Sequence, residues 1–200
     1  MAKEVFLIDG HSLIYRSYYA FIRNPLRNSK GENTSAVFGF VNTLKKLLEK
    51  YKPEFGAIAY DTGGETFRHR EFKEYKITRP ETPDELRPQI PIIKQVGEAY
   101  GLSSFEIEGY EADDVLASLA KTLSEKDYKV YIVTSDKDLL QLVSPKILIY
   151  DPWKELIYDQ ALVKERFGVG PEKIADILAL AGDKIDNIPG VRGIGDKRAR

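Results

Sequence analysis

The 200-residue chain has no cysteine, two histidines (His11 and His69), one methionine and one tryptophan. The absence of cysteine excludes disulfides and thiolate-bound metals and suits a reducing cytoplasm. Two histidines are too few for a histidine-based zinc site, so any metal chemistry must use oxygen ligands, which favour Mg²⁺, Mn²⁺ or Ca²⁺. No apolar run approaches the eighteen or so residues of a membrane span, and the opening residues do not read as a signal peptide. Repeats and low-complexity tracts are also missing. Nor is there an excess of either charge: 30 basic residues meet 31 acidic ones, a net charge of −1 that at first argues against a nucleic-acid partner.

What is present reads as one α/β domain with a small appendage. With 42% hydrophobic residues, a full core can form. Residues 3–9 (KEVFLID), 54–61 (EFGAIAYD), 103–108 and 129–136 (KVYIVTSD) read as short buried strands. Three of these stretches end in an aspartate: Asp9, Asp61 and Asp136. Between them lie helical patterns. Residues 35–51 keep Val37, Phe40, Val41, Leu44 and Leu48 at i, i+3, i+4 spacing. A helix ending near Tyr100 has Gly101 as its C′ residue, and Pro88 and Pro91 predict a late start or a kink. Residues 112–126 turn Val115, Leu116, Leu119 and Leu123 inward. A short helix follows Asp136, then two short strands around Asp151 and Leu156. From about residue 160 the texture changes to short helices and glycine-rich turns.

Strands alternating with helices predict a mostly parallel, Rossmann-like sheet covered on both faces. Ligands in such sheets sit outside the carboxyl ends of the strands, at the switch point. Asp9, Asp61 and Asp136 belong to that edge, and Glu111, Asp113 and Asp114 start a helix just after a strand. Singly, each acid has a structural reading as a helix cap or a partner of the helix dipole. Jointly they do not, because two carboxylates 4 Å apart in a partly buried crevice repel by roughly 4 kcal/mol. Cations with oxygen ligands relieve that repulsion. Two Mg²⁺ ions about 4 Å apart would clamp the attacking and leaving oxygens of a phosphodiester hydrolysis. The stretch TFRHREFKEYKITRP (66–80), with Arg68, Arg70, Lys73, Lys76 and Arg79 against two glutamates, suggests a polyanionic substrate.

The stretches VFLIDGHSLIYRSYYA (5–20), FRH (67–69), YKITRP (75–80), GYEADDVLASLA (109–120), IVTSDKDLLQLV (132–143) and LALAGDKIDNIPGVRGIGDK (178–197) closely resemble the 5′→3′ exonuclease (flap endonuclease) domain of bacterial DNA polymerases I. The resemblance spans essentially the whole chain, in the family's order. It implies a PIN-like fold with a nuclease unit over residues 1–160, a helical arch over about 62–83, and the start of a helix-hairpin-helix (helix-three-turn-helix) element over 161–200. It also implies a two-metal site: Asp9, Asp61, Glu111 and Asp113 at one Mg²⁺, Asp136, Asp138 and Asp186 at the other, with Asp114 and Asp183 supporting through water. Without these nine acids the chain holds 30 basic and 22 acidic residues, a balance of +8 that suits DNA.

By the same resemblance Lys76 and Arg79 match the arch pair that contacts the scissile phosphate. The competing reading is a solvated basic face. Three residues apart, they are expected on one helical face and unpaired, with no partner acid at helical spacing except Glu74, a poor neighbour for either. Arg68 and Arg16 match DNA-contacting arginines, and Tyr15 matches an aromatic that stacks on a base, a core tyrosine being the alternative. Gly193, Gly195 and Lys197 belong to a hairpin that holds a phosphate through backbone N–H groups, and the family binds K⁺ there through carbonyls. The implied substrate is 5′-flap, nicked or branched DNA, cut by a monomer acting in replication and repair, with a polymerase portion as the partner in a longer parent. Two departures stand out: the family's further helices past the hairpin are absent, and its usual Lys-Thr is Lys197-Arg198. Rival readings are a haloacid-dehalogenase-type phosphatase, which needs DxD where this chain has Asp9-Gly10-His11, a receiver domain, a PIN-type single-strand RNase, and a DNA-binding module without catalysis.

Overall fold

A computed structural model describes residues 3–200. Strands β1 (Glu4–Asp9), β2 (Phe55–Ala59), β3 (Ser103–Phe105), β4 (Lys129–Val133), β5 (Ile147–Asp151) and β6 (Leu156–Tyr158) form one sheet in the order β3-β2-β1-β4-β5-β6. The first five are parallel and β6 turns back antiparallel on β5. The order reverses between β1 and β4, which is where a parallel sheet opens its crevice.

Helices cover both faces, as the near-continuous apolar strands require. Phe6, Ile8, Ile58, Tyr131 and Val133 pack with α1 (Gly10–Ala20), α2 (Ser35–Tyr51) and α4 (Gln89–Ala99). Val5, Leu7, Ala57, Ala59, Val130 and Ile132 pack with α5 (Ala112–Glu125), α6 (Gln160–Phe167) and α7 (Ile174–Ala181). Because strand side chains alternate, Asp9 continues the row of Val5 and Leu7 and so points to the α5 side.

The late start expected at Pro88 is observed, with Pro88 at the N-cap of α4, and Gly101 takes φ +78° just past its end. The strands are shorter than the sequence reading. Asp61 lies two residues past β2, and Asp136 three past β4, because the neighbouring strands stop pairing there. Sequence periodicity assigned no element to 10–20, which forms α1, capped by Asp9 through the Ser12 N–H at 2.9 Å. In the arch region only α3 (Phe67–Glu71) is helical, and residues 73–78 are turns followed by a bend at Arg79. Lys76 has φ +57°, so it and Arg79 do not share a helical face as expected: a left-handed residue at Lys76 itself breaks the helical repeat. The chain closes with a hairpin and α8 (Asp196–Ala199), whose N-cap is Gly195.

Candidate active site

The sheet register builds the site from both sides of the switch point. Ile8 pairs with Val133, so Asp9 and Thr134 come next to each other. The Thr134 hydroxyl donates to Asp9 Oδ2 at 2.8 Å and accepts the Asp136 N–H at 3.1 Å, linking the acids of two strand ends. Asp136 in turn accepts the Asp138 N–H at 2.8 Å. Across the crevice Asp61 Oδ1 caps α5 by accepting the Ala112 N–H at 2.7 Å.

The three acids of the 111–114 run divide. Asp114 has a structural duty: it accepts the Glu111 N–H at 3.0 Å and holds the Arg68 guanidinium with both oxygens, at 2.7 and 2.8 Å. Burial opposes its ionisation, but Arg68 and the Glu111 N–H together keep its carboxyl below the ordinary range. Glu111 faces the arch, 2.7 Å from Lys76 Nζ and 3.1 Å from the Tyr75 hydroxyl. Asp113 faces the crevice. Burial first, then the charges of Asp9, Asp136, Asp61 and Glu111, push its carboxyl up to about 8. Burial likewise raises Asp9 and Asp138 to about 6.

Glu111, Asp113, Asp114, Asp136, Asp138 and Asp186 line one cavity of about 290 Å³, opposite Arg68, Lys76 and Arg79. Asp9 and Asp61 stand behind it at the strand ends. Asp183 lies to the side, accepting N–H groups of its own loop and 3.9 Å from Lys137. The expectation that Lys76 and Arg79 lack partner acids is wrong. Lys76 pairs with Glu111, and Arg79 pairs with Asp186 at 2.6 Å. Their partners are distant in sequence, so helical spacing could not reveal them. Among the described residues no three of these acids are drawn together tightly enough to enclose an ion as their side chains stand, several being turned onto basic partners.

The site nonetheless suits divalent cations. Its donors are all oxygens, Asp138 Oδ1 is buried with no hydrogen-bond partner, and Asp113 is crowded by four other acids. Two residues that sequence reasoning passed over are built into this arrangement. Tyr75 bridges Glu111 and Asp186, and Thr134 bridges Asp9 and Asp136; both lie inside the quoted motifs, one or two residues from the charged positions.

The other expected contacts are placed as follows. Tyr15 donates to or accepts from the Thr82 hydroxyl at 2.7 Å, with Tyr19 stacked 6.4 Å away. Arg16 donates to Ser135 at 3.3 Å and lies over Trp153. Arg68, expected on DNA, is engaged with Asp114 and rests on Phe67. Gly193 has φ +82°, and Lys197 is exposed in α8.

The family model of the 5′-3′ exonuclease N-terminal resolvase-like domain matches residues 4–168. The chain belongs to the 5′-3′ exonuclease family. It is 44% identical over 197 residues to a 5′-3′ exonuclease of Aquifex aeolicus, covering 98% of this chain and 68% of that protein. It is 44% identical over 201 residues to DNA polymerase I of Bacillus subtilis, covering 98% of this chain but 23% of the polymerase. Among solved structures, a bacteriophage T5 flap endonuclease variant in a pseudo-enzyme-product complex with DNA and metal ions superposes with a TM-score of 0.76 at 25% identity, over 98% of this chain and 73% of that one. The family is one of metal-dependent nucleases, and the superposition, over 98% of this chain, takes in its mostly parallel six-stranded sheet.

The charge crowding has a thermodynamic consequence. A carboxyl whose pKa is higher in the fold than in the unfolded chain stabilises the fold below its unfolded value, and that contribution is lost as pH rises through the folded one. For Asp113 the window runs from about 4 to about 8. In EDTA the melting temperature should therefore fall between pH 5 and pH 8. Asp113→Asn should raise it, more at pH 8 than at pH 5, by a few degrees at about 2–4 °C per kcal/mol for a chain of this size. Millimolar Mg²⁺ or Mn²⁺ should restore the wild-type protein at pH 8 by binding the folded state. Calorimetry at the two pH values checks this. An Asp113→Asn loss of equal size at both would show that the acids are not crowded.

Proposed function

We propose that this chain is the nuclease domain of a structure-specific 5′→3′ exonuclease and 5′-flap endonuclease, which removes primers in replication and flaps in repair. The observation that carries the reading is the cavity at the switch point, where six carboxylates face Arg68, Lys76 and Arg79. Asp9, Asp61, Glu111 and Asp113 serve one Mg²⁺, and Asp136, Asp138 and Asp186 the other, with Asp114 and Asp183 acting through water; Mn²⁺ substitutes. When bound there, the divalent ions would supply an activated water and neutralise charge on the phosphoryl group.

The chain's own residues do the rest. Lys76 and Arg79 exchange their carboxylate partners for the scissile phosphate, where charge builds in the transition state. Arg68 holds Asp114, and through it the start of α5, and approaches the DNA backbone together with Arg16. Tyr15 stacks on the base beside the scissile bond, worth about 1–3 kcal/mol. Around Gly193, Gly195 and Lys197 the backbone holds a downstream phosphate without reading sequence, with K⁺ on hairpin carbonyls. Residues 1–160 form the catalytic unit and 161–200 begin the hairpin unit. The substrate is 5′-flap, nicked or branched DNA, the protein acts as a cytoplasmic, nucleoid-associated monomer, and a polymerase portion is its partner in a longer parent. Among the described residues no helix is long and apolar enough to cross a membrane.

A 5′-flap duplex incubated with the protein in Mg²⁺ should yield short 5′ products, and none in EDTA. Tight DNA binding with no cleavage in Mg²⁺ or Mn²⁺ would leave a binding module in place of an enzyme.

A further inference from the structure

We infer that His11 is a positioning residue: its Nδ1 accepts the Asp61 N–H at 3.0 Å and thereby fixes the Asp61 carboxylate at the crevice. The inference rests on the proposed role of Asp61 in the metal site. It is carried by how the first turn of α1 is seated. Asp61 lies beyond the last paired residue of β2, so the sheet ladder no longer holds its backbone. Without that acceptor the amide of this half-buried residue would have no partner in the protein, leaving the Asp61 backbone free to move at the crevice. His11 supplies the acceptor from a different element, 50 residues away.

The geometry that permits this is specific. A Cβ on Gly10 would lie 2.4 Å from the Tyr60 ring and 2.9 Å from the Ala59 carbonyl, so only glycine lets the first turn of α1 approach the end of β2 this closely. The His11 ring then stands edge-on to Tyr60, with centroids 6.1 Å apart, and its side chain is 20% exposed. Nδ1 also lies 3.6 Å from Asp61 Oδ2, but a nitrogen that accepts the amide proton cannot donate to that carboxylate. The contact is therefore not an ion pair, and the ring proton sits on Nε2. With Asp61 Oδ1 capping Ala112, the residue is gripped at both ends: backbone to α1, carboxylate to α5. On the other flank of the same turn, the Ser12 hydroxyl lies 3.2 Å from that of Ser135, one residue before Asp136. One helical turn thus spans the gap between the acids of β2 and β4. Outer partners of this kind typically change metal affinity or activity by about 10–100-fold.

The test is a replacement series. Asparagine places its Oδ1 where imidazole places Nδ1, whereas glutamine carries its oxygen one bond too far. His11→Ala and His11→Gln should accelerate hydrogen exchange of the Asp61 amide by about 3- to 10-fold. They should also weaken Mn²⁺ binding, read by electron paramagnetic resonance, by about 10–100-fold. His11→Asn should restore both to within a few-fold of wild type. Asp61→Asn is measured alongside. If it leaves Mn²⁺ affinity unchanged, the metal-site reading of Asp61 fails, while the exchange data still decide whether His11 holds the amide. If Asp61→Asn weakens Mn²⁺ binding but His11→Ala changes neither readout, or if His11→Asn is as impaired as His11→Gln, the positioning role is overturned.

Discussion

Asp9→Asn will reduce 5′-flap cleavage by about 10³-fold or more and leave DNA binding equal or tighter. Loss of one divalent ion removes several kcal/mol of transition-state stabilisation, and each 1.36 kcal/mol is tenfold in rate. The binding half of the prediction follows from charge, since a buried negative charge behind the cavity repels the DNA backbone that enters it. The fold should survive the change. Asn Oδ1 can still accept the Ser12 N–H that caps α1, although the amide NH₂ now faces the Thr134 hydroxyl, which must turn from donor to acceptor. Burial already pushes the Asp9 carboxyl up to about 6, so above that pH the neutral amide also removes an ionisation that the fold resists. Asp136→Asn should behave alike. Single-turnover cleavage and filter binding measure the two halves, and wild-type cleavage by both variants would end the assignment of these acids.

Lys76→Ala will lower kcat and kcat/KM together by about 10²-fold or more, because the contact it removes tightens only as charge develops on the phosphate. Its effect on stability is less simple than for an exposed lysine. Lys76 is paired at 2.7 Å with the buried Glu111, and removing one partner of a buried hydrogen bond costs roughly 1–3 kcal/mol. In EDTA the variant should therefore melt several degrees lower, and Mn²⁺ should close that gap by compensating the same carboxylate. If Lys76 also meets a phosphate in the ground state, the salt slope of DNA binding falls by about one. A rise in KM alone would mean substrate capture. Normal turnover by a Lys76→Ala, Arg79→Ala double variant would reduce both residues to counter-charges for Glu111 and Asp186.

Most of the sheet was legible. The runs KEVFLID, FGAIA and KVYIV are continuous and apolar because parallel strands are buried on both faces, and the i, i+3, i+4 pattern of 35–51 returned α2 with its observed bounds. Strand ends were less legible. A strand stops when its neighbours stop pairing, and no single segment records that. Helix α1 was missed although Leu13, Ile14, Ser17 and Tyr18 are buried at helical spacing, because a glycine and two serines diluted the pattern. The arch did not form the single helical face expected for Lys76 and Arg79. Its turns are held by remote bonds, the Lys76 N–H to the Asp186 carbonyl at 2.9 Å and the Asn187 side chain to the Glu74 carbonyl at 2.9 Å.

The sequence by itself determined the class of chemistry: oxygen ligands only, acids at the ends of buried strands, and a basic segment beside them. Those follow from residue type and local periodicity, which need no knowledge of what lies across the crevice. Tertiary structure alone decided how the acids divide their work. Asp114 was committed to Arg68 and the start of α5, Glu111 to Lys76 and Tyr75, and Asp113 was left facing four other carboxylates. The physical reason is that Coulomb energy and desolvation depend on distance in space and on burial, and those are fixed only when β1, β2, β4 and α5 converge at the point where the strand order reverses.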